Sequence, residues 1–337
     1  MKHRYGSIDG LRVIACIGIV MMHIRANTNY EIDGFLYNTV IPSFTNFVFL
    51  FMMVSAFGMC CGYYEKVIHN TISFSEFYSK RFKKILPFFA LLVLLDLLTS
   101  PSINSLYEGF ADITLLFGFL PEAGNIIVIG VGWFLGLIFV FYICFPFFCT
   151  LLENKRRAWI AFAISLIYNF VCSVYFDVDR TNILYSACFF VAGGLIYLYR
   201  NQIKSINKWI LFTLVIISIC IYYIFGGNSI CCLLLSSTFL LYAIHHENRI
   251  LDNRITSFIS SVSMEIYLCH MFVFRVIEKL NLLSISRNGW IQYLVSLLFV
   301  LLGALVFSLI VKRLFAYFFG KIIGVRKYFE DRITIFY

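Results

Sequence analysis

Charge is what this chain has least of. Only 13% of its 337 residues are Asp, Glu, Lys or Arg, while 61% are hydrophobic; a soluble domain carries about 25% charged residues. No soluble fold of this size hides so much apolar surface. Strand-like alternation of polar and apolar residues is also missing. The apolar residues run on in blocks of about twenty, the length that crosses a hydrocarbon core as a helix, which excludes a barrel. The 11 cysteines form no C-x2-C pair matched by a second such pair, so they do not read as a zinc site. They read as small apolar thiols inside the hydrophobic runs. The first apolar run follows Met1-Lys2-His3-Arg4 and is followed by no small-residue cleavage site, which predicts a retained helix and not a removed signal peptide. No fixed-period repeat and no soluble domain are visible.

What is present predicts an all-α, polytopic membrane protein of a single domain, 1–337. Ten spans are expected near 8–27, 42–64, 82–100, 130–152, 158–176, 183–199, 209–226, 229–246, 257–279 and 290–311. A further apolar piece at 112–120 is too short to span and reads as re-entrant or interfacial. The net charge of +9 does not point to nucleic acid, because its placement follows the positive-inside pattern. With the N-terminus inside, alternate segments hold Lys80, Arg81, Lys83 and Lys84, then Lys155, Arg156 and Arg157, then Arg200, Lys204 and Lys208, and at the end Lys312 and Arg313. Segment 101–129 has no Lys or Arg and falls outside. Both termini are therefore expected in the cytoplasm, and 312–337 reads as an amphipathic tail along the inner leaflet.

Ionisable groups inside spans are costly and stand out as functional candidates. Arg12 and His23 are eleven residues apart, about three helical turns, so they share one face and stand roughly 16 Å apart along the axis. Alone, Arg12 is explained by snorkelling, and His23 by a hydrogen bond to a neighbouring helix. Their alignment favours a shared cavity. Ser263, Tyr267 and His270 likewise share a face of the ninth span, readable as a polar stripe between helices or as a second wall of a site. Glu265 points elsewhere, towards a basic partner at the inner side. Asp96 reads as interfacial. His3, His69, His245 and His246 read as solvated. The basic group at 80–84 reads as a positive-inside signal, an anionic-lipid contact or a dock for phosphate.

Six segments in order resemble the transmembrane acyltransferase 3 family. The opening RYGSIDGLRVIACIGIVMMHI carries Asp9, Arg12 and His23 and is similar to the family's first helix. VFLFMMVSAFGM at 48–59 resembles its Phe-rich run, with Ser55 kept and Ala56 in place of Gly. FYSKRFKKILPFF at 77–89 resembles the Arg-x-x-Arg-Ile-x-Pro signature, with Arg81 and Pro87 matched and Lys84 for the second Arg. GWFLGLIFVFYICFP at 132–146 is similar to the Trp-containing fourth span, through Trp133. SACFFVAGGLIY at 186–197 resembles the Phe-x-x-Gly segment, and SVSMEIYLCH at 261–270 the Ser-x-x-x-Tyr-Leu-x-His motif. Two departures stand out. Ile138 occupies the place where many sugar-modifying members have Glu, and the fused extracellular domain of larger members is not expected here.

The resemblance implies an acetyl-CoA-dependent O-acyltransferase in the cell membrane. Its donor is cytosolic acyl-CoA, used as a co-substrate with no bound cofactor or metal, and its acceptor a carbohydrate or lipid-linked glycan such as a surface polysaccharide. It implies His23 as general base or acyl carrier, with His270 as the second catalytic candidate. Arg12, Arg81 and Lys84 fall to the donor, and Ser263, Tyr267, Trp133 and Ser55 to the acceptor. Intramembrane Arg and His also suit a transporter or flippase, although paired halves with Gly- or Pro-broken helices are not evident.

Overall fold

The structure, a computed structural model, describes residues 5–120, 128–245 and 249–323. It is 82% helix, with no strand among the described residues. In chain order the main helices are α1 (Gly6–Ala26), α2 (Leu36–Ile68), α3 (Phe74–Thr99), α4 (Ile103–Thr114), α5 (Trp133–Leu152), α6 (Lys155–Val174), α7 (Ile183–Leu198), α8 (Lys208–Ile224), α9 (Ser229–His245), α10 (Arg254–Ser260), α11 (Ser263–Lys279) and α12 (Gly289–Ile323). Their starts are set by short polar side chains. Asn154, Asn182, Asn207 and Asn253 each accept a hydrogen bond from a first-turn amide of the helix that follows. Ser73 and Ser102 do the same for α3 and α4, satisfying donors that no helix can satisfy internally.

Each of the ten expected apolar segments coincides with a helix or with the bent pair α10–α11. Length and composition qualify five as membrane spans, in α1, α2, α5, α6 and α12, or six if α10 and α11, bent by 65°, form one. The helices α7, α8 and α9 are shorter, at 16, 17 and 17 residues. The tract at 112–120 ends α4 and passes into a 3-10 turn, Phe117–Phe119. The tail was expected from Lys312. Residues 312–323 continue α12, and 324–337 lie outside the described residues, as do His3 and His246.

Contacts divide the chain into two compact units. One comprises Met1–Phe47 with Glu247–Tyr337, the other Val48–His246. In the first, α1 packs along α10, α11 and α12, burying Ala15, Cys16, Ile19 and Val20 together with Phe274 and Ala304. In the second, α6 pairs with α7 and α8 with α9. The turn between α8 and α9 places Gly226 and Gly227 at φ +80° and +67°, a region that side chains disfavour. Phenylalanine fills this core through stacked pairs: Phe49 on Phe189 at 4.0 Å, Phe141 on Phe190 at 4.6 Å and Phe77 on Phe145 at 5.6 Å.

Candidate functional site

In the first unit, the polar residues of α1 meet those of α10 and α11 along one seam. At one end Asp9 pairs with Arg12 at 3.4 Å and accepts a hydrogen bond from the Ser260 hydroxyl at 2.8 Å. Midway, the Cys16 thiol donates to the Ser263 carbonyl at 3.4 Å. At the far end the His23 and His270 rings stand 5.1 Å apart, tilted by 50°. The two faces read from helical spacing are thus brought against each other, with the cation and the imidazoles at opposite ends.

The bend between α10 and α11 makes this register possible. It frees carbonyls that a straight helix would use, and other groups take them up. The Ser263 hydroxyl donates to the Ser260 carbonyl at 2.9 Å. Lys312 Nζ donates to the Ser261 carbonyl at 2.7 Å. The same ammonium lies 2.8 Å from Glu265, so the expected basic partner of Glu265 comes from α12.

His270 is fully buried. Its Nδ1 lies 2.6 Å from the Tyr267 carbonyl oxygen. A carbonyl only accepts, so a neutral His270 ring carries its proton on Nδ1 and presents a lone pair at Nε2. That Nε2 is buried with no hydrogen-bond partner among the described residues. Tyr267 is buried and lies with its ring 6.1 Å from the His270 ring. His23, on the facing helix, is half-buried and is the more accessible imidazole. Together they place an imidazole whose tautomer is set by the backbone next to a less buried one.

The remaining predicted residues lie in the second unit. Arg81 is 7% exposed. Its guanidinium donates to the Tyr63 hydroxyl, lies 4.6 Å over the Tyr63 ring and 5.9 Å from that of Tyr142. Lys84, a turn further along α3, is half-buried, as is Ser55 on α2. Trp133 opens α5 and carries the Arg180 guanidinium 5.4 Å over its ring. Ile138 is buried in α5. Asp96, read as interfacial, is buried, and so is Asp112 of α4. His69 is exposed beside Glu65, whereas Nδ1 of His245, read as solvated, is buried with no partner among the described residues.

Spacing did not single out Ser260, Cys16 or Lys312. Ser260 meets Asp9 across 251 positions, and only the helix bend would have hinted that its hydroxyl turns inward.

A family model described as an acyltransferase domain, of the acyltransferase 3 family, matches residues 5–311. No curated protein and no solved structure matches the chain. That match takes in both the seam of α1 with α10 and α11 and the buried Arg81 of α3. The chain belongs to the acyltransferase 3 family and is a membrane acyltransferase.

Proposed function

We propose that the protein moves an acyl group, acetyl in the first instance, from cytosolic acyl-CoA to a hydroxyl of a carbohydrate, a surface polysaccharide or its lipid-linked precursor, at the plasma membrane. The observation that carries this reading is the pair of imidazoles on facing helices, one half-buried and one fully buried with its Nδ1 tied to a backbone carbonyl. A neutral imidazole is the usual general base for such a transfer.

In this reading His23 takes the proton of the acceptor hydroxyl as its oxygen attacks the thioester carbonyl carbon. The new C–O bond forms and the C–S bond breaks. The CoA thiolate leaves and takes up the proton held by His23, which returns the base to its starting state. The lone pair on His270 Nε2, unpartnered at rest, lies beside the imidazolium of His23 and stabilises its charge while it exists. Tyr267 and Ser263, on the same helix as His270, line the approach of the acceptor. Arg12, steadied by Asp9, attracts the donor phosphates. Arg81 contributes mainly by holding its helix against Tyr63, since its guanidinium is already clamped by aromatic rings.

The test is transfer of label from radiolabelled acetyl-CoA into surface polysaccharide, in membranes carrying the intact chain or His23→Ala at equal protein level. Loss of a general base costs about 10²–10⁴-fold in rate, so label is expected with the intact chain and not with the variant. Label that survives in His23→Ala removes this residue from the mechanism.

A further inference from the structure

Two residues beyond His23, α1 carries a cation that the transfer chemistry does not use. Arg25 stands about 3 Å further along the axis and is turned by about 200°, so it faces the other side of the helix. There its guanidinium carbon lies 5.5 Å from the centre of the Tyr37 ring. Tyr37 is 4% exposed. Its ring is fixed edge-on by Trp290 at 5.8 Å and Tyr293 at 5.4 Å, and the Tyr293 hydroxyl donates to the Met21 carbonyl on α1. The guanidinium thus rests on one ring of a rigid aromatic wall.

The Tyr293 hydroxyl is satisfied in this way, but two other polar atoms are not. Arg25 Nε and the Tyr37 hydroxyl are both buried with no hydrogen-bond partner among the described residues. No carboxylate of the described residues pairs with Arg25. Both groups are hydrogen-bond donors, and one is cationic. An orphaned buried donor is expensive, and two beside each other on a preorganised aromatic frame call for an acceptor oxygen with negative charge.

We propose that Arg25 and Tyr37 form an oxyanion-binding subsite that takes a carboxylate or a phosphate of the acceptor. Calling the ligand the acceptor rests on the acyltransferase reading above; the binding of an oxyanion stands without it. Because Arg25 and His23 lie on opposite sides of α1, the oxyanion is a handle remote from the reacting hydroxyl. Holding it fixes the orientation of a large substrate, as remote binding groups do. The two sources of this chemistry are an acidic sugar in the glycan and the phosphate of a lipid carrier.

The test needs no acyl donor. The detergent-purified full chain is titrated with inorganic diphosphate, and separately with glucuronate, and the midpoint of thermal unfolding is followed. A ligand that binds the native state raises the midpoint in proportion to its occupancy. At least one probe is expected to do so in the intact chain, and the better one identifies phosphate or carboxylate as the source. In Arg25→Gln and Tyr37→Phe the same rise is expected to need about tenfold more probe, as for loss of a charge-assisted hydrogen bond. Tyr37→Phe keeps the ring and its edge contacts, so its folding is not at stake. His23→Ala is expected to respond as the intact chain does, whether or not acetyl transfer is ever seen. The proposal is overturned if neither anion raises the midpoint, or if both variants respond like the intact chain.

Discussion

At Asp112 both carboxylate oxygens are buried and lack a hydrogen-bond partner among the described residues. Burial pushes this carboxyl up to about 8, with the charges of Glu108 and Asp96 adding to the effect; the nearby backbone N–H of Ile129, outside bonding geometry, offsets only part of it. An acid whose folded pKa is raised binds its proton more tightly in the folded state. Between about pH 4, the ordinary carboxylate range, and pH 8 the folded chain therefore holds more protons than the unfolded one, and stability falls as pH rises through that window. Asp112→Asn removes the titration. The variant is expected to match the intact chain near pH 4 and to exceed it at pH 8 by about 1 kcal/mol or more, read as the midpoint of thermal unfolding. A variant whose pH dependence matches that of the intact chain would show that Asp112 ionises freely. Nothing in the sequence marked this residue. It opens the short apolar piece at 112–120 that read as re-entrant or interfacial, in a segment placed outside, and its burial comes from α4 folding back along α3.

At the scale of helices, close approach decides what the chain tolerates. A Cβ on Gly193 of α7 would run into the Met53 carbonyl oxygen of α2 and come within 2.8 Å of the Ala56 side chain. Backbone atoms cannot swing aside, so Gly193→Val is expected to destabilise by about 1–3 kcal/mol in denaturant titration. Gly130 has open space around its missing side chain, and Gly130→Ala serves as a near-neutral control. Equal losses in the two variants would show that α7 does not rest on α2 in this way. The helices themselves were legible, because runs of apolar residues bounded by Asn and Ser caps specify helix wherever they are placed. The bend between α10 and α11 was not legible. Ser260, Ser261, Val262 and Ser263 contain neither proline nor glycine, and the break is sustained by Lys312 and by Ser263 taking up the freed carbonyls.

For the molecule as a whole, the placement of basic residues makes a topological prediction. Segments 153–157 and 200–208 are expected on the cytoplasmic side, and segment 177–182 on the opposite side. Single cysteines introduced as Lys155→Cys and Asp179→Cys, in a chain freed of its exposed Cys144 and Cys220, are expected to react with a membrane-impermeant thiol reagent from opposite faces of sealed vesicles. Reaction of both from one face would mean that α6 does not cross. The sequence by itself determined that the chain is helical and lies in a membrane, and it placed Arg12 with His23 on one face and Ser263 with His270 on another. These follow from composition and from a period of 3.6 residues, which are local properties of the chain. That the two faces meet, that His270 Nδ1 hydrogen-bonds a backbone carbonyl, that Glu265 finds Lys312 and that Arg25 rests on Tyr37 were decided only by tertiary structure. Each joins side chains through packing between segments or through a backbone carbonyl's direction, and neither leaves a periodic trace in the sequence.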